Sequence, residues 1–410
     1  MSAPELVAAM SYRASLRNVG LLLHAMRDEP GYSLRYNEFF DRVERAGAPL
    51  RESDLVDIAI LLEEQFSWDK RLPSVEMVRN AVNWSARLSS YHPVKSYVAR
   101  CHDQLVTAAQ KERARKACRE WLVRYCGVRD CGELRVEQSK CMLVGALERI
   151  HSPGCQWDTV PVFVSAQGWY KSSLIRAMVP DATWHTSTAP DLRSKDAYQA
   201  NLGLWIGEIP ELKSVLANSP ETVKAWVTSR SDRYRPPYSR MFVDQPRSCV
   251  WWSTANPPFS LRDSSGNRRY WILEMSKKAD IKAIARDREL IWGGAELYRR
   301  EGYQYWLSSE ALEEEVGRQR EAYEADYEDP WVVAAQEWKA RCNLHTRHVG
   351  VSDFLREMFD LQPPPKLGHD QKDVLRATRA LKQAGFESYR QQVNGVRRRF
   401  WRSKQPIMND

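Results

Sequence analysis

The sequence predicts an α/β core built on a largely parallel sheet, with a helical segment before it and a small basic domain after it. Three observations predict this. Between residues 158 and 275 short apolar strands alternate with helices, the pattern of a layered α/β unit. Within it, VPVFVSAQGWYKSSLIRAM (160–178) runs from an apolar strand through a glycine turn and Lys171-Ser172 into a helix. Residues 366–404 carry eleven Lys or Arg against three Asp or Glu, the whole +8 net charge of a chain that otherwise sums to zero.

Residues 1–150 read as a helical N-terminal domain. NVGLLLHAMRD, LVDIAILLEEQF and SVEMVRNAVNWSARL place apolar residues three to four apart, and KERARKACREWLVRYCG and EQSKCMLVGALERI add two longer helices. The core spans 151–308, with strands VPVFV, LGLWIGEI, SCVWWST and YWILEM and helices SLIRAM and ETVKAWVTS. Residues 309–330 hold nine acidic side chains and read as a solvated helix leading into a linker that ends at Pro330. Residues 331–410 give two amphipathic helices, VSDFLREMFD and QKDVLRATRALKQAG, then FESYRQQ and VRRRFWR joined at Asn394-Gly395, a short-hairpin signal. Helix, helix, hairpin is the order of a winged-helix domain.

Composition narrows the function classes. At 43% hydrophobic residues the 410-residue chain can fill sizeable cores. No run of eighteen apolar residues occurs and the N-terminus has no secretory pattern, so a cytoplasmic protein without a membrane partner is expected. The eight cysteines lack CxxC pairs and read as reduced thiols, with a zinc site at Cys126, Cys131 and His102 as a minor alternative. A basic tail on a balanced chain points to a polyanion, most often nucleic acid.

The chemistry concentrates in the turn after VPVFV. A phosphate loop of form GxxxxGK(S/T) wraps phosphates in backbone N–H groups, pairs them with a lysine and uses the hydroxyl to hold Mg²⁺. Here the eight positions are Ser165, Ala166, Gln167, Gly168, Trp169, Tyr170, Lys171 and Ser172, with Ser173 next. Ser165 and Tyr170 stand where glycines are usual, and the bulk of Tyr170 just before the lysine questions hydrolysis. Trp169 has two candidate roles, stacking on a base or wedging the turn. Downstream, LGLWIGEI ends near Glu208, with Glu211 close behind, where a nucleotidase holds Mg²⁺ or polarises water. VWWSTAN ends at Asn256, a polar side chain able to orient water against a γ-phosphate. SDRYRPPYSR offers Arg233, Arg235 and Arg240, and GNRRYW offers Arg268 and Arg269, candidates for transition-state charge or for gripping nucleic acid.

The ordered series YHPVKSYV, DTVPVFVSAQGWYKSS, LWIGEIPEL, VKAWVTSRSDRYRPPYSR, WWSTAN and LRDSSGNRRYW resembles the virulence-associated protein E family of phages and mobile elements, over about residues 90–310. The resemblance implies a P-loop ATPase core of AAA+ type, related to superfamily 3 replicative helicases and working as a ring on DNA, often beside a primase that this chain lacks. It implies ATP and Mg²⁺ as cofactors. Ser165, Gln167, Gly168, Lys171, Ser172 and Ser173 would form the nucleotide loop, with Ser172 and Glu208 on the metal. Glu208 would be the Walker B acid, Asn256 the sensor, and Arg268 or Arg269 a finger or sensor. The DRYRPPYSR loop would face DNA or the neighbouring subunit.

The leading expectation is an ATP-dependent DNA helicase or translocase of mobile-element replication. It would form a homo-oligomer, six subunits being one candidate number, with single-stranded DNA in the ring. Duplex would sit on the winged helix through Lys372, Arg376, Arg379, Arg397, Arg398 and Arg399. The alternative is a catalytically degenerate DNA-binding scaffold or loader. A small-molecule kinase on the same loop would explain neither the basic tail nor the arginine-rich loops.

Overall fold

The computed structural model describes residues 11–29, 31–188, 200–212, 220–235, 241–257, 269–325, 330–341, 350–359, 371–393 and 396–403. Two compact units meet in the chain at residue 320.

The first unit opens with β1 (Ser11–Arg13), α1 (Leu16–Ala25), β2 (Leu34–Asn37), β3 (Arg42–Arg45), β4 (Ala48–Pro49), α2 (Glu52–Gln65), β5 (Ser67–Asp69), α3 (Val75–Leu88) and β6 (Ser90–Tyr91). The three helices match the periodic stretches, but the segment is not all helical. A four-stranded sheet of order β4-β3-β2-β6 closes over α1 to α3, and Val19, Leu23, Leu34, Tyr36, Ile58, Leu62 and Val82 share one core. The strands escape a sequence reading because each has four residues or fewer, too short for a period of two to stand out.

Next come α4 (Pro93–Asp103), α5 (Ala108–Arg124) and α6 (Glu133–His151), then the alternating region. Its elements are β7 (Val160–Val164), α7 (Lys171–Ala177), β8 (His185–Thr186), β9 (Ile206–Ile209), α8 (Pro220–Thr228), β10 (Ser231–Tyr234), β11 (Val243–Pro246), β12 (Val250–Ala255), β13 (Tyr270–Glu274) and α9 (Ile281–Arg300). The main sheet has order β13-β7-β12-β9-β8, and every pair is parallel. Residue 150 does not separate two cores. Trp121 of α5 and Leu143 of α6 lie in the same cluster as Phe163, Trp205, Trp252 and Trp292. Trp205 and Trp292 sit 4.4 Å apart between ring centroids, and Trp121 and Trp252 5.5 Å apart. Most of the tryptophans resolved in this unit are thus packing residues.

The acidic stretch forms α10 (Glu310–Ala325). It is not wholly solvated, because Leu312 and Val316, one turn apart, pack against the main core. Among the described residues no three His, Cys, Asp or Glu side chains converge to hold a metal ion, so the zinc alternative finds no geometry. The cysteines described are free thiols, and no helix described is long and apolar enough to cross a membrane.

The second unit contains α11 (Pro330–Arg341), α12 (Val351–Phe359), α13 (Gln371–Gln383), β14 (Phe386–Val393) and β15 (Val396–Ser403). It has one helix more than the sequence order suggested. β14 and β15 pair antiparallel out to Val393 opposite Val396, and Asn394-Gly395, read as the hairpin turn, lie outside the described residues. Trp338, Phe354, Leu381, Phe386 and Trp401 form its core.

One glycine fixes how closely β9 and β12 approach. Gly207 pairs with Trp251, whose ring would lie 2.5 Å from an added Cβ. Gly207→Ala overpacks the sheet and is expected to cost about 1–3 kcal/mol, read as a lower urea midpoint.

Candidate nucleotide site

The turn between β7 and α7 emerges at the C-terminal edge of the parallel sheet, where such sheets bind ligands. Gly168 has φ +82, the left-handed backbone that glycine adopts without cost. Tyr170 is also left-handed, at φ +63 and ψ 29, and caps α7 without a side-chain hydrogen bond. That conformation costs a non-glycine residue about 1–2 kcal/mol. The tyrosine side chain is 52% exposed, so its bulk is not packed into the loop. Trp169 instead packs against the main core, and its carbonyl accepts from the Ala279 N–H at 3.4 Å. It wedges the turn.

Lys171 begins α7 and is buried. Its Nζ donates to the Ser165 carbonyl at 2.8 Å, Ser165 Oγ at 3.2 Å, the Ala166 carbonyl at 3.0 Å and Asn256 Oδ1 at 2.8 Å. Burial lowers its pKa, while nearby Glu211 acts in the opposite direction. Next to it Ser172 Oγ donates to Glu208 Oε1 at 2.5 Å. Thr254 Oγ1 donates to the same oxygen at 3.1 Å. Glu208 is fully buried, and its other oxygen, Oε2, has no hydrogen-bond partner among the described residues.

The strand order explains this meeting. β12 lies between β7 and β9, so Glu208 is two strands from the loop, not on the neighbouring strand. Glu208 pairs with Trp252, which puts Thr254 diagonally opposite on the same face and Asn256 two residues further on, past the strand end. Thr254 was missed by sequence reasoning, although its spacing of two from Asn256 was available as a signal. Glu211 and Leu212 follow β9 with positive φ, +55 and +49, and the Glu211 N–H reaches Thr254 Oγ1 at 3.4 Å.

Gln167, Ser172 and Ser173 are exposed around the turn, and Ser165 is buried beneath it. The donor set fits a divalent cation: a hydroxyl and a carboxylate in contact, with one buried carboxylate oxygen unused.

The arginines do not join this cluster. Tyr270 pairs with Val160, so Arg269 stands at the N-terminal edge of the sheet. The loop leaves β7 five residues later, roughly 16 Å along the strand. Arg269 instead lines a cleft of about 660 Å³ with Trp271, Tyr305, Trp306 and Arg320. Arg268 and Arg240 lie outside the described residues. Arg233 and Arg235 are exposed on the β10–β11 ribbon, Arg233 stacking over Phe242 at 5.4 Å and lying 3.7 Å from Asp244. In the second unit Arg379 and Arg399 are exposed. Lys372, Arg376, Arg397 and Arg398 fall on α13 and β15, and their side chains are outside the described set.

Residues 105–325 match the virulence-associated protein E-like domain, more than half of the 410-residue chain. No curated protein matches it. Among solved structures, the NrS-1 C-terminal region (305–718) is similar at TM-score 0.39 and 13% identity, over 90% of this chain and 88% of that one. The X-ray structure of JCV helicase gives TM-score 0.28 and 12% identity, over 83% and 97%. The match over the site and its flanking helices shows that the chain belongs to the virulence-associated protein E-like family.

Proposed function

We propose that the protein is an ATP-dependent DNA helicase or translocase of phage or mobile-element replication, working as an oligomeric ring. The observation that carries this reading is a pair of adjoining hydrogen-bonded groups, Lys171 with Asn256 and Glu208 with Ser172 and Thr254, brought together at the C-terminal edge of a parallel sheet by the adjacent Lys171 and Ser172.

In this reading the N–H groups of the turn receive the phosphates, and Lys171 exchanges its protein acceptors for phosphate oxygens. Ser172 and Glu208 would hold Mg²⁺, which when bound neutralises charge on the phosphates. Asn256, released from Lys171, orients the attacking water. Arg269 is too far from its own loop to act there; in this reading its guanidinium, buried at its cleft in the single chain, would be released to serve the next subunit's site as a finger. The ribbon carrying Arg233, Arg235 and Arg240 would face DNA or that subunit. The second unit, three helices and a hairpin with the basic residues on α13 and β15, would act as a winged helix on duplex.

The four protein oxygens around Lys171 also favour a second reading, a non-hydrolysing scaffold or loader in which the lysine stays engaged. Turnover separates the two. With Mg-ATP and single-stranded DNA, Lys171→Ala is expected to abolish hydrolysis measured as phosphate release. Wild-type turnover no higher than that variant's would leave only the scaffold.

Tyr170→Gly tests the loop itself. Loss of the left-handed cost of about 1–2 kcal/mol is opposed by about 0.5–1 kcal/mol of added chain entropy, so stability should change little. Fluorescent-nucleotide titration should give affinities within a few fold of each other. Tight binding by the glycine variant alone would mean that the tyrosine blocks the site.

Arg269→Ala is expected to lower turnover by about 10³-fold. Mixing it with Lys171→Ala should restore part of the activity, because some interfaces then pair an intact loop with an intact arginine. Mixtures as inactive as either parent would remove the finger from the neighbour's site.

For DNA, the logarithm of affinity should fall with the logarithm of salt at a slope set by about 4–6 phosphate contacts. Deleting residues 366–410 should flatten that slope and weaken binding by orders of magnitude in a fluorescence-anisotropy titration.

A further inference from the structure

Under the base of the β10–β11 ribbon lies a cavity of about 10 Å³, lined by Arg149, Trp157, Trp226, Arg247, Cys249 and Trp251 among others. That is room for one guest the size of a water molecule. Its lining is rich in donors. Arg149 is 1% exposed, and its Nη1 and Nη2 donate to the carbonyls of Arg247 and Trp157, each at 3.3 Å. Among the described residues Arg149 Nε has no acceptor, nor do the indole N–H groups of Trp157, Trp226 and Trp251.

Arg149 also lacks the carboxylate partner that its neighbour has. Arg247 is held by Asp232, with Nη2 to Oδ1 at 2.5 Å and Nε to Oδ2 at 3.1 Å. Asn201 Nδ2 takes a further bond to Oδ2 at 2.8 Å. Asp232 is thus engaged by Arg247, and no carboxylate ion-pairs with Arg149 among the described residues. The neighbouring thiols cannot supply the missing charge, because burial pushes Cys249 up to about 11 and raises Cys155. Arginine itself stays protonated in proteins, and an uncompensated buried cation is costly.

We propose that this cavity binds one monatomic anion, chloride, held by the Arg149 guanidinium and the indole N–H groups of Trp157, Trp226 and Trp251. The size excludes phosphate or sulfate. A water would bring two further hydrogens among donors and leave the charge uncompensated. Bound there, the anion would tie α6 to α8, to β12 and to the segment that leads into β7, beside Arg247 at the base of the ribbon.

The test compares the full-length protein in sodium chloride and in sodium gluconate at equal ionic strength and pH. The thermal midpoint should stay flat below the dissociation constant and above it climb with the logarithm of chloride, by roughly 2–4 °C for each further tenfold. Arg149→Met should lose that difference while keeping any general salt effect. Crystals grown in bromide provide a readout that does not depend on the variant folding: an anomalous peak within hydrogen-bonding distance of Arg149. Equal midpoints in both salts, or a cavity without a bromide peak, would mean ordered water only and would overturn the proposal.

Discussion

Glu208 is a carboxylate placed at zero exposure in the middle of a parallel sheet, and the arrangement around it follows from the need to satisfy it. One oxygen is served by Ser172 from α7 and Thr254 from β12. The other is left open. This requires β12 to sit between β7 and β9, so that the helix after the loop can reach across to the acid two strands away. The same interposed strand delivers Asn256 to Lys171. A sheet of another order would hold the same side chains and not bring them together.

The molecule contrasts a rigid foundation with exposed working parts. Asp232 and Arg247, 1% and 2% exposed at their side chains, clamp the two strands of the ribbon at its base. Arg247 Nη1 also donates to the Trp226 carbonyl at 2.6 Å, tying in α8. Further along, Arg233, Met241 and Phe242 are exposed. A buried ion pair of this kind adds little net stability, but breaking it is expensive, so it fixes geometry more than it adds free energy. It holds the ribbon in one orientation while leaving its outer residues available.

Much of the core was legible because long apolar strands and periodic helices repeat their signal: VPVFV, LWIGEI, VWWSTA and YWILE lie at or near the strands read from them. The loop was legible because lysine, hydroxyl and glycine keep their spacing. The small N-terminal sheet was not, since its strands are too short, and neither was the sharing of one core across residue 150, which depends on tertiary packing of Trp121 and Leu143. Arg269 shows another limit. A residue just before a strand can stand at either edge of a sheet, and only the register with Val160 shows that this one faces away from the loop. Thr254 shows the opposite case, a hydroxyl whose alternation with Asn256 was readable but carried no motif.

The tyrosine before Lys171 is best understood through backbone geometry. The position needs a left-handed residue so that the chain can turn from the loop into α7, and that need explains why glycine suits it. Tyrosine meets the same need at an energetic cost, and with its ring half in solvent the cost falls on the backbone rather than on the space beside the lysine. Strain of this kind persists only where the surroundings overdetermine the conformation. Here they do: Trp169 is anchored in the core on one side, Lys171 is held by Ser165, Ala166 and Asn256 on the other, and the Leu174 N–H bonds back to the Tyr170 carbonyl at 2.8 Å. The loop is therefore held in shape by its neighbours without its second glycine, and what a nucleotide must displace is the set of oxygens around Lys171.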